Sequence, residues 1–132
     1  MFSATDEAFM RRALDLAAMA MNHATPNPRV GCVLVRDRQV IAEGFTQRPG
    51  EPHAEAHAIR NARAKGQDLS GATAYVTLEP CCTHGRTPPC TEAILSAGVR
   101  RVVVAAIDPN PAHRGRGLKL LRRRGVEVES GV

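Results

Sequence analysis

The 132-residue sequence has few aromatic residues: no tryptophan, one tyrosine and three phenylalanines. Proteins that bind single-stranded nucleic acids stack bases on aromatic side chains, so this scarcity argues against that function despite a net charge of +5. No apolar run reaches the roughly 18 residues that a transmembrane helix needs. The N-terminal residues lack the basic and apolar stretches of a secretion signal. We therefore expect a cytoplasmic protein.

The sequence also lacks a Gly-x-Gly-x-x-Gly motif, which argues against a nicotinamide cofactor. Its 132 residues are typical of one domain. Hydrophobic residues make up 43% and charged residues 23%, values typical of globular proteins rather than disordered ones. Four cysteines in a cytoplasmic chain indicate metal binding or catalysis before disulfides.

Helical and strand periodicities alternate along the chain in the order α-β-β-α-β-α-β-α-β. Thr5 is predicted to cap the first helix, and Asp37-Arg38 to form the turn of a hairpin. The predicted strands are Val30–Val35, Gln39–Phe45, Ala72–Leu78, Arg101–Ile107 and Val126–Glu129, and the later helices are His53–Lys65, Pro89–Ala97 and Gly117–Arg124. Strands that alternate with helices imply parallel pairing in the second half and helices on both sheet faces. The prediction is a single three-layer α/β/α domain with a mixed, mostly five-stranded sheet.

Three short stretches carry candidate chemistry. His53 begins a predicted helix, Cys81 follows a predicted strand, and Cys90 begins the next helix. One histidine and two cysteines can fill three positions of a zinc tetrahedron, and an open fourth position for water is typical of catalytic sites. Helix N-termini near the metal favour the thiolate form of cysteine.

Glu55 lies two residues after His53, so in the first helical turn it points in a different direction. It can lie beside the metal without binding it and move a proton between the attacking water and a leaving amine. His-x-Glu followed by Pro-Cys and a second cysteine is typical of zinc deaminases. The alternative is that His53 is an ordinary loop histidine and that the cysteines are buried apolar residues, as we expect for Cys32 within its strand.

The spacing between the two cysteines differs from that of many zinc deaminases. Zinc deaminases that act on nucleosides or tRNA usually show Pro-Cys-x-x-Cys, whereas here eight residues separate Cys81 from Cys90. The chain resembles the deaminase domain of the riboflavin-biosynthesis bifunctional deaminase/reductase, a member of the cytidine-deaminase-like superfamily. The shared motifs are TPNPRVGCV at 25–33, GEPHAE at 50–55, ATAYVTLEPC at 72–81, HGRTPPC at 84–90, DPNP at 108–111 and GRG at 115–117.

The resemblance implies a cytidine-deaminase-like fold, zinc held by His53, Cys81 and Cys90, and Glu55 as the catalytic proton carrier. It also implies the reaction: hydrolysis of the 2-amino group of 2,5-diamino-6-(5-phosphoribosylamino)pyrimidin-4(3H)-one to the uracil product plus ammonia. This is a step of riboflavin biosynthesis.

The sequence departs from the family pattern at two positions and in extent. Thr46 stands where the family commonly has a histidine near the substrate, and it is therefore a candidate substrate contact. Cys82 stands where the family commonly has serine. We interpret Cys82 as a bystander, with an alternative metal ligand or an oxidation-sensitive thiol as the other interpretations. The NADPH-dependent reductase domain of the bacterial family is absent from these residues, so we expect residues 1–132 to form either a stand-alone deaminase or its first domain.

Four further residues are candidate substrate contacts. The Asn27 amide is predicted to bind the pyrimidine ring, and the Arg86 guanidinium is suited to the substrate phosphate. Asp108 and Asn110 follow a central strand, and ligands of open α/β sheets bind beyond the carboxyl ends of strands. Turn or surface roles are the alternatives for all four.

Two other functions remain open at this point. One is a deaminase of the same fold that acts on another aminated heterocycle, which Thr46 and the missing reductase favour. The other is a structural zinc or non-catalytic binding domain, against which Glu55 argues. The few aromatic residues and the cysteine spacing oppose a nucleic-acid substrate. We also expect a dimer or larger homo-oligomer, to which the first helix with Met10, Met19 and Met21 could supply a face, although a core role suits these residues better.

Overall fold

The computed structural model describes residues 3–20, 29–47, 51–82, 89–111 and 113–131. Helices and strands follow one another in the predicted order. Their bounds are α1 Ala4–Met19, β1 Gly31–Arg36, β2 Gln39–Phe45, α2 Ala54–Ala64, β3 Thr73–Leu78, α3 Cys90–Ala97, β4 Arg101–Ala106, α4 Arg116–Arg123 and β5 Glu127–Ser130.

The strands form one mixed sheet in the order β2-β1-β3-β4-β5. β1 is antiparallel to both β2 and β3, whereas β3, β4 and β5 are parallel to one another. The parallel strands are those that α3 and α4 connect, as predicted from the alternation of strands and helices. The predicted hairpin is confirmed as well, with Asp37 and Arg38 at positive φ between β1 and β2.

Side chains of the sheet alternate between two hydrophobic clusters. Cys32 and Leu34 belong to a cluster that also contains residues of α2, α3 and α4, whereas Val33 and Val35 pack with residues of α1. This alternation follows from the two-residue period of a strand. It confirms the three-layer α/β/α arrangement, and Cys32 is a fully buried core residue as predicted.

The first helix begins at a different cap from the one predicted. Ser3, not Thr5, caps α1: its hydroxyl accepts a hydrogen bond from the Asp6 backbone N–H at 3.0 Å. The Asp6 carboxylate accepts one in return from the Ser3 N–H at 3.2 Å. Such a reciprocal pair needs a polar acceptor three residues after the cap. Ser3 has Asp6 at that position, whereas Thr5 has Ala8.

An ion-pair cluster joins α1 to the sheet. The buried Asp6 accepts hydrogen bonds from the Arg101 guanidinium at 2.9 and 3.0 Å and from the Tyr75 hydroxyl at 2.6 Å. Arg101 also contacts Glu129 at 2.8 Å. The hydrogen bond from Arg101, supported by the one from Tyr75, holds the pKa of Asp6 well below its usual range. The cluster therefore depends on an ionised Asp6.

Replacing Asp6 by asparagine is expected to lower the free energy of unfolding at neutral pH by about 2–3 kcal/mol. The loss stays moderate because Arg101 is partly exposed and keeps Glu129. Since the pKa of Asp6 is lower in the folded than in the unfolded state, its contribution is fully present above about pH 4 and is lost as the pH falls further. Urea unfolding of both proteins from pH 7 to acid checks this. Equal stabilities at pH 7 would contradict it.

Chain direction brings several elements together at one edge of the sheet. The carboxyl ends of β2, β3 and β4 and the amino end of β1 all lie there, as the strand pairing requires. Gly44 has no side chain, and this lets α2 pack closely on β2. A Cβ at this position would overlap the backbone of Ala54 and Ala58. This contact fixes the start of α2 near the same edge. No helix in the described part of the chain is long and apolar enough to cross a membrane.

Candidate active site

His53, Cys81 and Cys90 come together at this edge as predicted. His53 immediately precedes α2, Cys81 follows β3 and Cys90 is the first residue of α3. One nitrogen or sulfur atom from each side chain lies within 4.8 Å of the others. The His53 Nδ1 atom is 3.2 Å from the Cys90 Sγ and 3.8 Å from the Cys81 Sγ. The three side chains are therefore positioned to bind one metal ion.

The chemistry of these donors fits zinc. The hydrogen bond from the Cys90 thiol, together with those from His53 and the Cys90 backbone N–H at 3.3 Å, lowers the pKa of Cys81. The hydrogen bond to Cys81 in turn raises the pKa of His53. A thiolate is the form of cysteine that binds metal. A set of one imidazole and two cysteine sulfurs is typical of catalytic zinc sites, which have three protein ligands.

Glu55 is buried beside this cluster. It is the second residue of α2, and only 4% of its surface is exposed. Burial raises the pKa of Glu55 to about 7. A carboxyl group with a pKa near neutrality can both accept and return a proton at physiological pH. A bound cation would favour its ionised form.

A cavity of about 160 Å³ lies next to the cluster. His53, Glu55 and Cys81 are among the residues that line it. The other described residues of its wall are Val30, Thr46, Leu78, Glu79 and Asp108. Two apolar side chains and several polar ones make a wall suited to a flat, polar ring.

Thr46 lies in the cavity wall and is buried, yet its hydroxyl also serves the fold. It accepts a hydrogen bond from the Val30 backbone N–H at 2.8 Å and contacts the Val30 carbonyl oxygen at 3.3 Å. These contacts join the end of β2 to the residue before β1. The substrate contact expected of Thr46 stays a prediction.

The two residues predicted after β4 differ in position. Asp108 lines the cavity, and its carboxylate accepts a hydrogen bond from the Asn110 N–H at 2.9 Å. Asn110 is exposed, and it is not among the described residues of the cavity wall. Its backbone carbonyl instead accepts hydrogen bonds from the next turn, at His113 and Arg114. The turn interpretation therefore accounts for the observed contacts of Asn110.

Two predicted substrate contacts, Asn27 and Arg86, lie outside the described residues. Cys82 is half-buried and lines a neighbouring cavity with Cys81, not the one beside Glu55. The described cluster of potential metal ligands consists of His53, Cys81 and Cys90. The interpretation of Cys82 as a bystander stays a prediction.

Sequence reasoning missed Glu79. It appeared only as part of the motif around Cys81, yet its buried carboxylate lines the cavity and is directed at the backbone that follows β4. The sequence feature that could have marked Glu79 is its position as an acidic residue at the end of a buried strand. Its partners are backbone N–H groups about 30 to 40 residues away, which no sequence pattern marks.

Comparison with known families gives a match over most of the chain. Residues 3–106 match the family model described as the cytidine and deoxycytidylate deaminase zinc-binding region. The matched segment contains the three candidate metal ligands and Glu55.

Individual relatives agree with this match. The riboflavin biosynthesis protein RibD of Escherichia coli is 54% identical over 96% of this chain, which corresponds to 34% of that protein. The diaminohydroxyphosphoribosylamino-pyrimidine deaminase of Buchnera aphidicola is 41% identical over 96% of this chain and 84% of its own length. The chain spans about a third of the length of the RibD proteins.

A solved structure shares the fold. It is a diaminohydroxyphosphoribosylaminopyrimidine deaminase/5-amino-6-(5-phosphoribosylamino)uracil reductase from Thermotoga maritima, 51% identical, with a TM-score of 0.91 over 97% of this chain and 36% of that one. The likeness confirms the cytidine-deaminase-like fold expected from the motifs. With the family match and the ligand geometry, it shows that this chain belongs to the zinc-binding cytidine and deoxycytidylate deaminase family.

Proposed function

We propose that this chain hydrolyses the 2-amino group of 2,5-diamino-6-(5-phosphoribosylamino)pyrimidin-4(3H)-one. The products are 5-amino-6-(5-phosphoribosylamino)uracil and ammonia, and the reaction is a step of riboflavin biosynthesis. The observation that carries this proposal is the buried Glu55 beside three converging zinc-type ligands. The substrate follows from the Buchnera deaminase, whose length this chain covers to 84%.

His53, Cys81 and Cys90 would hold the zinc ion, which supplies Lewis acidity and lowers the pKa of water. Glu55 takes a proton from the attacking water and gives it to the departing amine, so that ammonia rather than an amide anion leaves. Its burial keeps bulk water away from this transfer and raises its pKa to about 7. Val30 and Leu78 supply apolar surface in the cavity for the pyrimidine ring.

The phosphoribosyl group and the ring edges need further contacts. We propose Asn27 and Thr46 as ring contacts, Arg86 as a phosphate contact, and Asp108 and Asn110 as substrate contacts beyond β4. The position of Asp108 in the cavity wall supports its inclusion. Asn110 is exposed and follows Asp108 by two residues.

The direct test is ammonia release by the purified, zinc-loaded chain when it is given the diaminopyrimidine ribosyl phosphate. We expect stoichiometric formation of ammonia and the uracil product, and loss of activity after zinc is removed with a chelator. A folded protein with bound zinc that released no ammonia from this substrate would contradict the proposal.

A second candidate is the deamination of another aminated heterocycle. It is favoured by Thr46, whose hydroxyl stands in the cavity wall where the family commonly has a histidine. This hydroxyl is hydrogen-bonded to the Val30 backbone. The same ammonia assay with other aminated pyrimidines and purines distinguishes the candidates. Faster turnover of one of those compounds would select this second function.

We further propose that residues 1–132 form one deaminase domain without a nicotinamide site, and that the protein acts in the cytoplasm as a homo-oligomer. Met10 is buried in the core, whereas Met19 is 56% exposed and available to an interface. Met21 lies outside the described residues. A monomer mass in light scattering would exclude the oligomer, and export from the cytoplasm in fractionation would exclude the location.

A further inference from the structure

Glu79 is a buried acidic residue for which the proposed reaction has no role. It follows β3 directly, and two residues later the chain reaches Cys81. Only 7% of its surface is exposed. A carboxylate is costly to bury unless hydrogen-bond donors surround it. The partners of Glu79 therefore indicate what it does.

Both carboxylate oxygens of Glu79 accept hydrogen bonds from the backbone. The Oε1 atom accepts from the N–H groups of Asp108 at 3.1 Å and Gly115 at 2.9 Å. The Oε2 atom accepts from Gly117 at 2.9 Å and Leu118 at 3.4 Å. One side chain thus holds both ends of the loop between β4 and α4, together with the first turn of α4, whose N–H groups have no partner within the helix.

This loop also forms part of the cavity wall through Asp108. In the first turn of α4, which follows the loop, a Cβ on Gly117 would overlap the Pro80 carbonyl oxygen. The start of α4 therefore lies against the segment that leads to Cys81. A change of conformation at Asp108 would move this cavity wall.

The reacting groups have other supports. The Cys81 carbonyl accepts a hydrogen bond from the Thr91 N–H at 3.1 Å, and the Cys81 Sγ accepts one from the Cys90 N–H. The partners in these contacts belong to α3 and not to the loop after β4. Glu55 lies on α2.

We propose that Glu79 is a positioning residue that holds Asp108 and residues 115–118 in the conformation that binds substrate. It sets the affinity for the substrate through the position of Asp108, and it takes no part in proton transfer. The inference rests on the proposed deaminase function for its assay.

The test replaces Glu79 by glutamine, which keeps the shape of the side chain but only one of its two acceptor oxygens. The amide NH2 group would then face backbone N–H donors. Because misplacing a positioning element is costly, we expect the KM for the diaminopyrimidine ribosyl phosphate to rise about 10- to 100-fold. The value of kcat and the zinc content should stay close to those of the parent. Glu127→Gln, the same change at an exposed position of β5, is the matched control.

Two further measurements separate positioning from a general loss of structure. Hydrogen exchange should accelerate at the amides of Asp108, Gly115 and Gly117 but not at those of α2. In a double-mutant cycle, Asp108→Ala should raise KM in the parent and add little in the Glu79→Gln background, because both changes act through one element.

If the Glu79→Gln protein does not fold, Gly115→Ala replaces it. Gly115 has a φ of 77°, and a methyl group added there would meet no described atom within 4 Å, so the change strains only the backbone that donates to Glu79. It should raise KM in the same direction. An unchanged KM in the folded variant, or a fall in kcat with loss of zinc at unchanged KM, overturns the inference. A parent that releases no ammonia refutes the proposed function instead, and unaccelerated exchange at Gly115 and Gly117 would then overturn the role of Glu79 independently.

Discussion

Replacing Glu55 by glutamine is expected to lower kcat about 100- to 10,000-fold while zinc stays bound. The amide has nearly the same size and fills the same buried position, but it cannot take a proton from water and return it to the leaving amine. His53, Cys81 and Cys90 are untouched, so the metal content should equal that of the parent. Ammonia release in steady state and metal analysis of the same preparation check both expectations.

The Glu55→Gln protein should fold at least as well as the parent. Glu55 is buried, and burial disfavours its charged form. In the zinc-free protein, removing the charge removes that cost, so the melting temperature of that form should not fall. Glu127→Gln, at an exposed site, should leave both turnover and zinc unchanged. A Glu55→Gln protein with near-parental turnover would show that Glu55 is not the proton carrier.

The sequence predicted those parts of the site whose chemistry is local. His53 and Glu55 are two residues apart at a helix start, and the start of α2 in the structure differs from the predicted one by one residue. Cys81 follows β3 and Cys90 begins α3, so both lie on the one connection between these two elements. The strong strand patterns of β3 and β4 were enough to predict that the connection between β3 and α3 begins at one edge of the sheet.

The parts that the sequence did not predict depend on contacts between distant residues. Thr46 was compared with a histidine of the family, but its bond to Val30 depends on strand pairing. Glu79 binds backbone groups of α4, and backbone groups have no sequence signature. The cap at Ser3 could have been found, since Asp6 stands at the spacing of a capping box.

The adjacent cysteines Cys81 and Cys82 allow the metal site to be tested with a matched pair of variants. Cys81→Ser should lose most of its zinc on dialysis, and with it nearly all turnover, because a hydroxyl is a far poorer ligand for zinc than a thiolate. Because zinc binds only the folded state, its loss should also lower the melting temperature of Cys81→Ser below that of the zinc-loaded parent.

Cys82→Ser makes the same chemical change one residue away and should keep both zinc and turnover. The reason is geometric: the ligand atoms of His53, Cys81 and Cys90 converge within 4.8 Å, and Cys82 lines a different cavity from the one beside Glu55. Both proteins are dialysed identically, and their zinc content is then measured by atomic absorption and their turnover by ammonia release. These measurements test which of the two cysteines binds zinc. Zinc loss in Cys82→Ser with retention in Cys81→Ser would exchange the roles of the two cysteines, and retention in both would refute the assignment of Cys81 as a ligand.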